Sequence, residues 1–111
     1  MIEKILLDHL SAALPVPVRM EVPEDPPGTF CVLEKTGGGC EEHLYTALVA
    51  VQSWAPTLLE AARLNEQVKA AMETACELDA IAEIRLNTDY NFTDTSTRYH
   101  RYQAVFDLVH Y

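Results

Sequence analysis

The segment that most constrains this chain is residues 41–54, EEHLYTALVAVQSW. Read at the period of a strand, Leu44, Leu48, Ala50 and Trp54 fall on one face, and Tyr45, Ala47, Val49 and Val51 on the other. A strand apolar on both faces has to be covered on both. It therefore demands other strands beside it and a layer of helix against it.

The neighbours can be read from the flanking sequence. FCVLEKT (30–36) alternates as a strand, GGG (37–39) supplies turn residues, and the two apolar runs predict one long hairpin over 30–54. PTLLEAARLNEQVKAAMETACEL (56–78) predicts a helix with Pro56 in its first turn. Its expected buried stripe is Leu58, Ala62, Asn65, Val68, Met72 and Ala75, broadened by Leu64 and Ala71. Residues 81–92 alternate Ala82, Ile84, Leu86, Tyr90 and Phe92 against Glu83, Arg85, Asn87 and Asp89. After a polar turn at 93–97, the last strand sets Tyr102, Ala104, Phe106 and Leu108 opposite Tyr99, Arg101, Gln103, Val105, Asp107 and Val109. These two strands predict a second hairpin.

Upstream, IEKILLDHLSAAL predicts a helix from about 2 to 14, stopped by Pro15 and Pro17. VRMEV (18–22) reads as a short strand and PEDPPGT (23–29) as a loop. Helix, weak strand, hairpin, long helix, hairpin is the order of one α+β domain over residues 1–111. The expected architecture is an antiparallel sheet of two hairpins with both helices on one face. An apolar fraction of 49% agrees with a folded domain.

Charge narrows the function. The net charge is −9, and its distribution is −5 over residues 1–54, −3 over 55–80 and −1 over 81–111. No segment is basic, which argues against binding nucleic acid or an anionic membrane. The near-neutral last segment is where self-association costs least. No run of about 18 apolar residues offers a spanning helix, and MIEKILLDHLSAAL does not read as a signal peptide. Three cysteines, Cys31, Cys40 and Cys76, with no CxxC pair read as free thiols. The sequon at Asn91-Phe92-Thr93 has no secretory context.

Each candidate for chemistry lacks a second element. Cys40-x-x-His43 would start a zinc site, but no second close pair of ligands follows. Cys40 or Cys76 with a histidine has no local nucleophile motif around it. KTGGGC lacks the GK[ST] ending and the following helix of a phosphate cradle, and Glu41 and Glu42 would repel phosphate. Tyr99, Tyr102, Phe106 and Tyr111 could stack on bases, yet only Arg98 and Arg101 accompany them in an acidic chain. Tyrosine and arginine on one strand face fit a protein interface better. The expected interface residues are Arg98, Tyr99, Arg101, Gln103 and Val105, with the hairpin glycines Gly37, Gly38 and Gly39. No metal or cofactor is expected.

VAVQSWAPTLLEAARLNEQVKAAM, then a strand, then YNFTDTSTRYHRYQAVFDL, resembles the small tail-terminator or tail-completion proteins of long-tailed bacteriophages and prophages. The resemblance spans about residues 1–111. It rests on the apolar strand ending in Trp54, the helix after it, and the DTSTRYHRYQ turn that opens the last strand. CVLEKTGGGCEEH is less typical of the family. The resemblance implies a structural protein with no catalytic residue. Such proteins form rings, often of six, that cap the tail tube and face the head connector, in the virion and in the host cytoplasm during assembly. Neck proteins of similar size, the head-completion and adaptor proteins, are the near alternative. A small ligand-binding or enzymatic α+β domain with a pocket under the long helix is the rival from another class.

Overall fold

The computed structural model describes residues Met1–Tyr111 as two α-helices on a five-stranded sheet. In chain order the elements are α1 (Ile2–Ala13), β1 (Val18–Arg19), β2 (Phe30–Glu41), β3 (Leu44–Ala55), α2 (Leu58–Thr74), a 3₁₀ turn (Ala75–Glu77), β4 (Ile81–Asn91) and β5 (His100–His110). The sheet order is β1-β2-β3-β5-β4. The doubly apolar β3 takes the centre, as its sequence requires. The β2–β3, β3–β5 and β5–β4 pairs are antiparallel, but β1 runs parallel to β2, so the sheet is mixed rather than purely antiparallel. No helix is long and apolar enough to cross a membrane.

One face of the sheet carries the main core. Cys31 and Leu33 from β2, Ala47, Val49 and Val51 from β3, and Ala104, Phe106 and Leu108 from β5 meet Ile2, Leu6 and Leu10 of α1 and Leu64, Val68 and Met72 of α2. Fully burying a large aliphatic side chain contributes about 1.5–3 kcal/mol. That burial offsets backbone ordering of about 1–2 kcal/mol per residue. Cys31 lies in this layer, and burial pushes its thiol up to about 12. It stays protonated at physiological pH and is a packing residue, not a nucleophile.

Gly37, Gly38 and Gly39 are not the turn that the sequence predicts; they lie inside β2 opposite Leu48, Ala47 and Thr46. Chain reversal falls at Glu42 and His43, both at positive φ (50° and 68°), which suits a tight two-residue hairpin turn. Gly38 is needed in the strand, because a Cβ there would sit 2.8 Å from the Thr46 carbonyl oxygen.

The cap of α2 is Thr57, whose Oγ1 accepts from the Glu60 backbone N–H at 3.2 Å, so Pro56 precedes the helix instead of entering its first turn. The buried stripe is Ala61, Leu64, Asn65, Val68, Ala71 and Met72, and Leu58 is exposed. The true stripe includes Ala61 and Leu64, three residues apart, which share a face as Leu58 and Ala62 would have.

Of VRMEV, only Val18 and Arg19 pair with β2; Met20–Val22 leave the sheet and lead into the proline-rich loop at 23–29, whose prolines have no N–H to offer a ladder.

β4 does not keep the single alternation that the sequence predicts. Its register with β5 shifts between Ile81 and Glu83 and again between Leu86 and Thr88. Ile84 and Leu86 lie opposite Leu108 and Phe106 on the helix side. After the second bulge, Tyr90 lies opposite Gln103 on the other side, and Asp89 faces the helices. An extra residue flips every side chain beyond it.

Asp89 is thereby brought to α2. Its Oδ2 accepts from Asn65 Nδ2 at 2.9 Å and from Lys69 Nζ at 3.0 Å. The hydrogen bond from Lys69 holds the Asp89 carboxyl below its usual range. Hydrogen bonds to Glu66 and Asp89 raise the Lys69 ammonium. Asp89 therefore stabilises the fold fully above the ordinary carboxylate value of about 3.9, and that contribution is lost as pH falls through the lowered value. Lys69 acts at the alkaline end, where its contribution fades as pH rises through its raised value. Acid titration of stability should show Asp89→Asn less stable at neutral pH and with a flatter acid limb than the parent. An unchanged acid limb would show that the contact carries no net stabilisation.

Candidate functional site

The helices cover one face of the sheet, and the other face has no helix. Its residues are Phe30, Val32, Glu34, Gly37 and Gly39 on β2; Thr46, Leu48, Ala50, Gln52 and Trp54 on β3; and Arg101, Gln103, Val105, Asp107 and Val109 on β5. The expectation that β3 would be covered on both sides holds on this face only at one end. There Phe30, Val32 and Trp54 form a second small core against Tyr99.

That end is organised by aromatic contacts. Phe30 and Trp54 stack with ring centroids 5.4 Å apart, and Tyr99 meets both rings edge-on. The Tyr99 hydroxyl donates to the Pro27 carbonyl at 3.3 Å, tying the proline-rich loop over the cluster. Arg101 lies between two rings, its guanidinium carbon 4.8 Å from the Trp54 centroid and 4.6 Å from that of Phe92. Its Nε donates to the Phe92 carbonyl at 2.6 Å. A guanidinium fixed in this way is a rigid platform that has already lost its rotamer freedom.

A chain of side-chain hydrogen bonds crosses the sheet beside it. Trp54 Nε1 donates to Gln52 Oε1 at 3.1 Å, Gln52 Nε2 to Gln103 Oε1 at 3.0 Å, and Gln103 Nε2 to the Tyr90 hydroxyl at 2.5 Å. Three strands contribute to this one ladder. Its amide orientations are fixed by their neighbours, so the surface is organised before anything meets it.

Of the residues expected at an interface, Tyr99, Arg101, Gln103 and Val105 share this region, and all four are half-buried. Tyr99 and Arg101 spend much of their surface on their own chain. Arg98 is exposed in the 92–99 loop, which is knit by Asp94 Oδ1 accepting from the Ser96 backbone N–H at 2.9 Å and hydroxyl at 2.8 Å. The Ser96 N–H holds the Asp94 carboxyl below its usual range. The glycines lie apart from this cluster, toward the distal end of β2; Gly37 and Gly39 are on the uncovered face and Gly38 on the helix side. The sequence reading missed Gln52, Tyr90 and Phe92. Gln52 was legible from the alternation of β3. Tyr90 and Phe92 were not, because the bulge that turns them has no glycine or proline to announce it.

The other candidates are dispersed. Cys40 pairs opposite Tyr45 and His43 occupies the turn, both exposed, and no group of three or more His, Cys, Asp or Glu side chains comes together. Phe106 is core and Tyr102 is half-buried on the helix side. The largest concavity is an open groove of about 450 Å³ between α2 and β4, lined by Lys69, Glu73, Ile84, Arg85, Leu86 and Phe106.

No protein-family model matches this chain, and no curated protein matches it in sequence.

Proposed function

We propose that this is a structural protein of a long-tailed bacteriophage or prophage: a tail terminator that closes into a ring, caps the tail tube and joins it to the head connector. The role comes from the sequence resemblance over residues 1–111. The observation that carries it on the molecule is the uncovered sheet face, where Arg101 between Trp54 and Phe92 and the ladder from Trp54 to Tyr90 form a fixed aromatic and amide surface. Tyrosine, tryptophan and arginine held in place are the residue types that dominate binding energy at protein interfaces. The two hairpins, β2–β3 and β4–β5, meet at the β3–β5 pair and present this face together. Its partners are other copies of the chain, the tail tube protein and the connector, and its work is assembly, not catalysis.

Each copy carries −9, so charge opposes ring closure until salt or a less acidic partner screens it. Screening acts over about 10 Å at 0.1 M salt. Light scattering from low to high salt should show a monomer or weak association moving to one closed mass as salt or protein rises. Association that weakens steadily with salt would overturn this account of the acidic surface.

The groove beside β4 favours a second reading, a small ligand-binding domain. Lys69 at its rim is already paired with Glu66 at 2.8 Å and Asp89 at 3.0 Å, and Arg85 stands opposite Asp107 on the other face of the sheet, so a ligand there would rest on Ile84, Leu86 and Phe106.

A further inference from the structure

The sheet has two edges. On one, β1 covers β2 only at Cys31 and Val32, so the outer side of β2 from Leu33 to Glu41 meets no strand. The other is β4, Ile81–Asn91, with no strand beyond it. Bare ladder groups invite another strand, and chains usually blunt them. The free part of β2 carries the charges Glu34 and Lys35 and a register shift between Lys35 and Gly37, and it also carries three glycines in succession. Its own hairpin explains Gly38, but not Gly37, where a Cβ would meet Leu48 at an ordinary 3.8 Å. Glycine inside a strand costs about 0.5–1 kcal/mol and often marks close approach by another backbone.

We propose that the β4 edge of one copy pairs antiparallel with the Leu33–Gly38 edge of β2 in the next, so that one sheet runs continuously between subunits. This rests on the ring reading and names its contact. Three observations choose a second copy as the occupant.

The first is direction. Three antiparallel pairings separate β2 from β4, so the two strands already run opposite ways. A neighbour in the same orientation presents β4 antiparallel to β2, with its helices on the same side. Such a head-to-tail contact repeats until it closes or becomes a filament.

The second is charge. Glu34 and Arg85 are both exposed on the uncovered face, and neither has an ion-pair partner in its own chain. Setting the neighbour's Arg85 opposite Glu34 also puts its Leu86 opposite Leu33 and its Ile84 opposite Lys35, all on the helix side.

The third is apolar cover. Leu86 is 42% exposed and shares its groove with Ile84, while Lys35 on β2 lines a separate groove with Ile5 at the N-terminal end of α1. The pairing brings these two margins together. It ends at Val32, where β1 begins, and at Leu86, where the β4 bulge begins.

The test is a Glu34→Cys/Arg85→Cys variant in a Cys40→Ser/Cys76→Ser background, oxidised and run without reductant. Within one chain the two cysteines are three strand spacings apart, about 14 Å, beyond disulfide reach. The expected result is a ladder of covalent oligomers ending at the mass of the closed ring, with single-cysteine controls giving no ladder. Independently, Glu34→Arg should weaken association about tenfold, and adding Arg85→Glu should restore it. A closed oligomer by light scattering with no ladder and no rescue overturns edge pairing and leaves the ring standing. A ladder with no upper limit keeps edge pairing and overturns the closed ring. A monomer at every salt and protein concentration, with no ladder, overturns both.

Discussion

Val68→Asp should leave no cooperatively folded protein. Val68 is fully buried on α2 within the cluster that joins both helices to β3 and β5. An aspartate there places a carboxylate among Leu, Val, Met and Phe side chains with no cation among them. Burying an unpaired charge costs at least several kcal/mol even after its pKa adjusts. A domain of this size has about 5–15 kcal/mol in total. Urea titration followed by circular dichroism should show no sigmoidal transition for Val68→Asp. Val68→Ala, which only removes methyl groups, should remain cooperative and lose about 2 kcal/mol. A cooperative Val68→Asp transition would mean that α2 packs by a different face.

Trp54→Ala tests the opposite side of the sheet. Trp54 stacks on Phe30, meets Tyr99 edge-on, supports Arg101 and donates to Gln52. Removing a buried tryptophan costs about 3–5 kcal/mol. Losing one of the two rings around Arg101 adds about 0.5–2 kcal/mol. The two effects share a partner and should not add. Trp54→Ala with Arg101→Ala should therefore destabilise by less than the sum of the single changes. Strict additivity would show that the guanidinium and the indole do not support each other. A loss under about 1 kcal/mol for Trp54→Ala alone would show that the small core lies outside the cooperative unit.

The sequence made some levels of this fold legible and hid others, for physical reasons. Two-sided apolarity placed β3 at the centre of the sheet, and strand period placed Ala104, Phe106 and Leu108 of β5 in the core. Those inferences need only the alternation of a regular strand. The glycine triplet misled, because glycine serves both turns and close backbone approach, and only the Thr46 carbonyl beside Gly38 separates the two. Glu42 and His43 adopt positive φ without glycine or asparagine, so nothing local announced the turn. Tyr99 and Arg101 were legible as a strand face. Their commitment to Trp54, Phe92 and the proline loop depends on contacts between residues 9 to 73 positions apart, which no local pattern carries.

The extra residue at Asn87 sets the side-chain parity of everything after it in β4. It is held by Asn87 Nδ2 donating to Asp107 Oδ2 at 2.9 Å. Deleting Asn87 would leave composition, charge and hydropathy almost untouched. It would also exchange the contents of the two faces: Asp89 would leave Asn65 and Lys69, and Tyr90 would swing beneath α2. A single-codon deletion here would act as a reversal of inside and outside in a chain whose bulk properties hardly change.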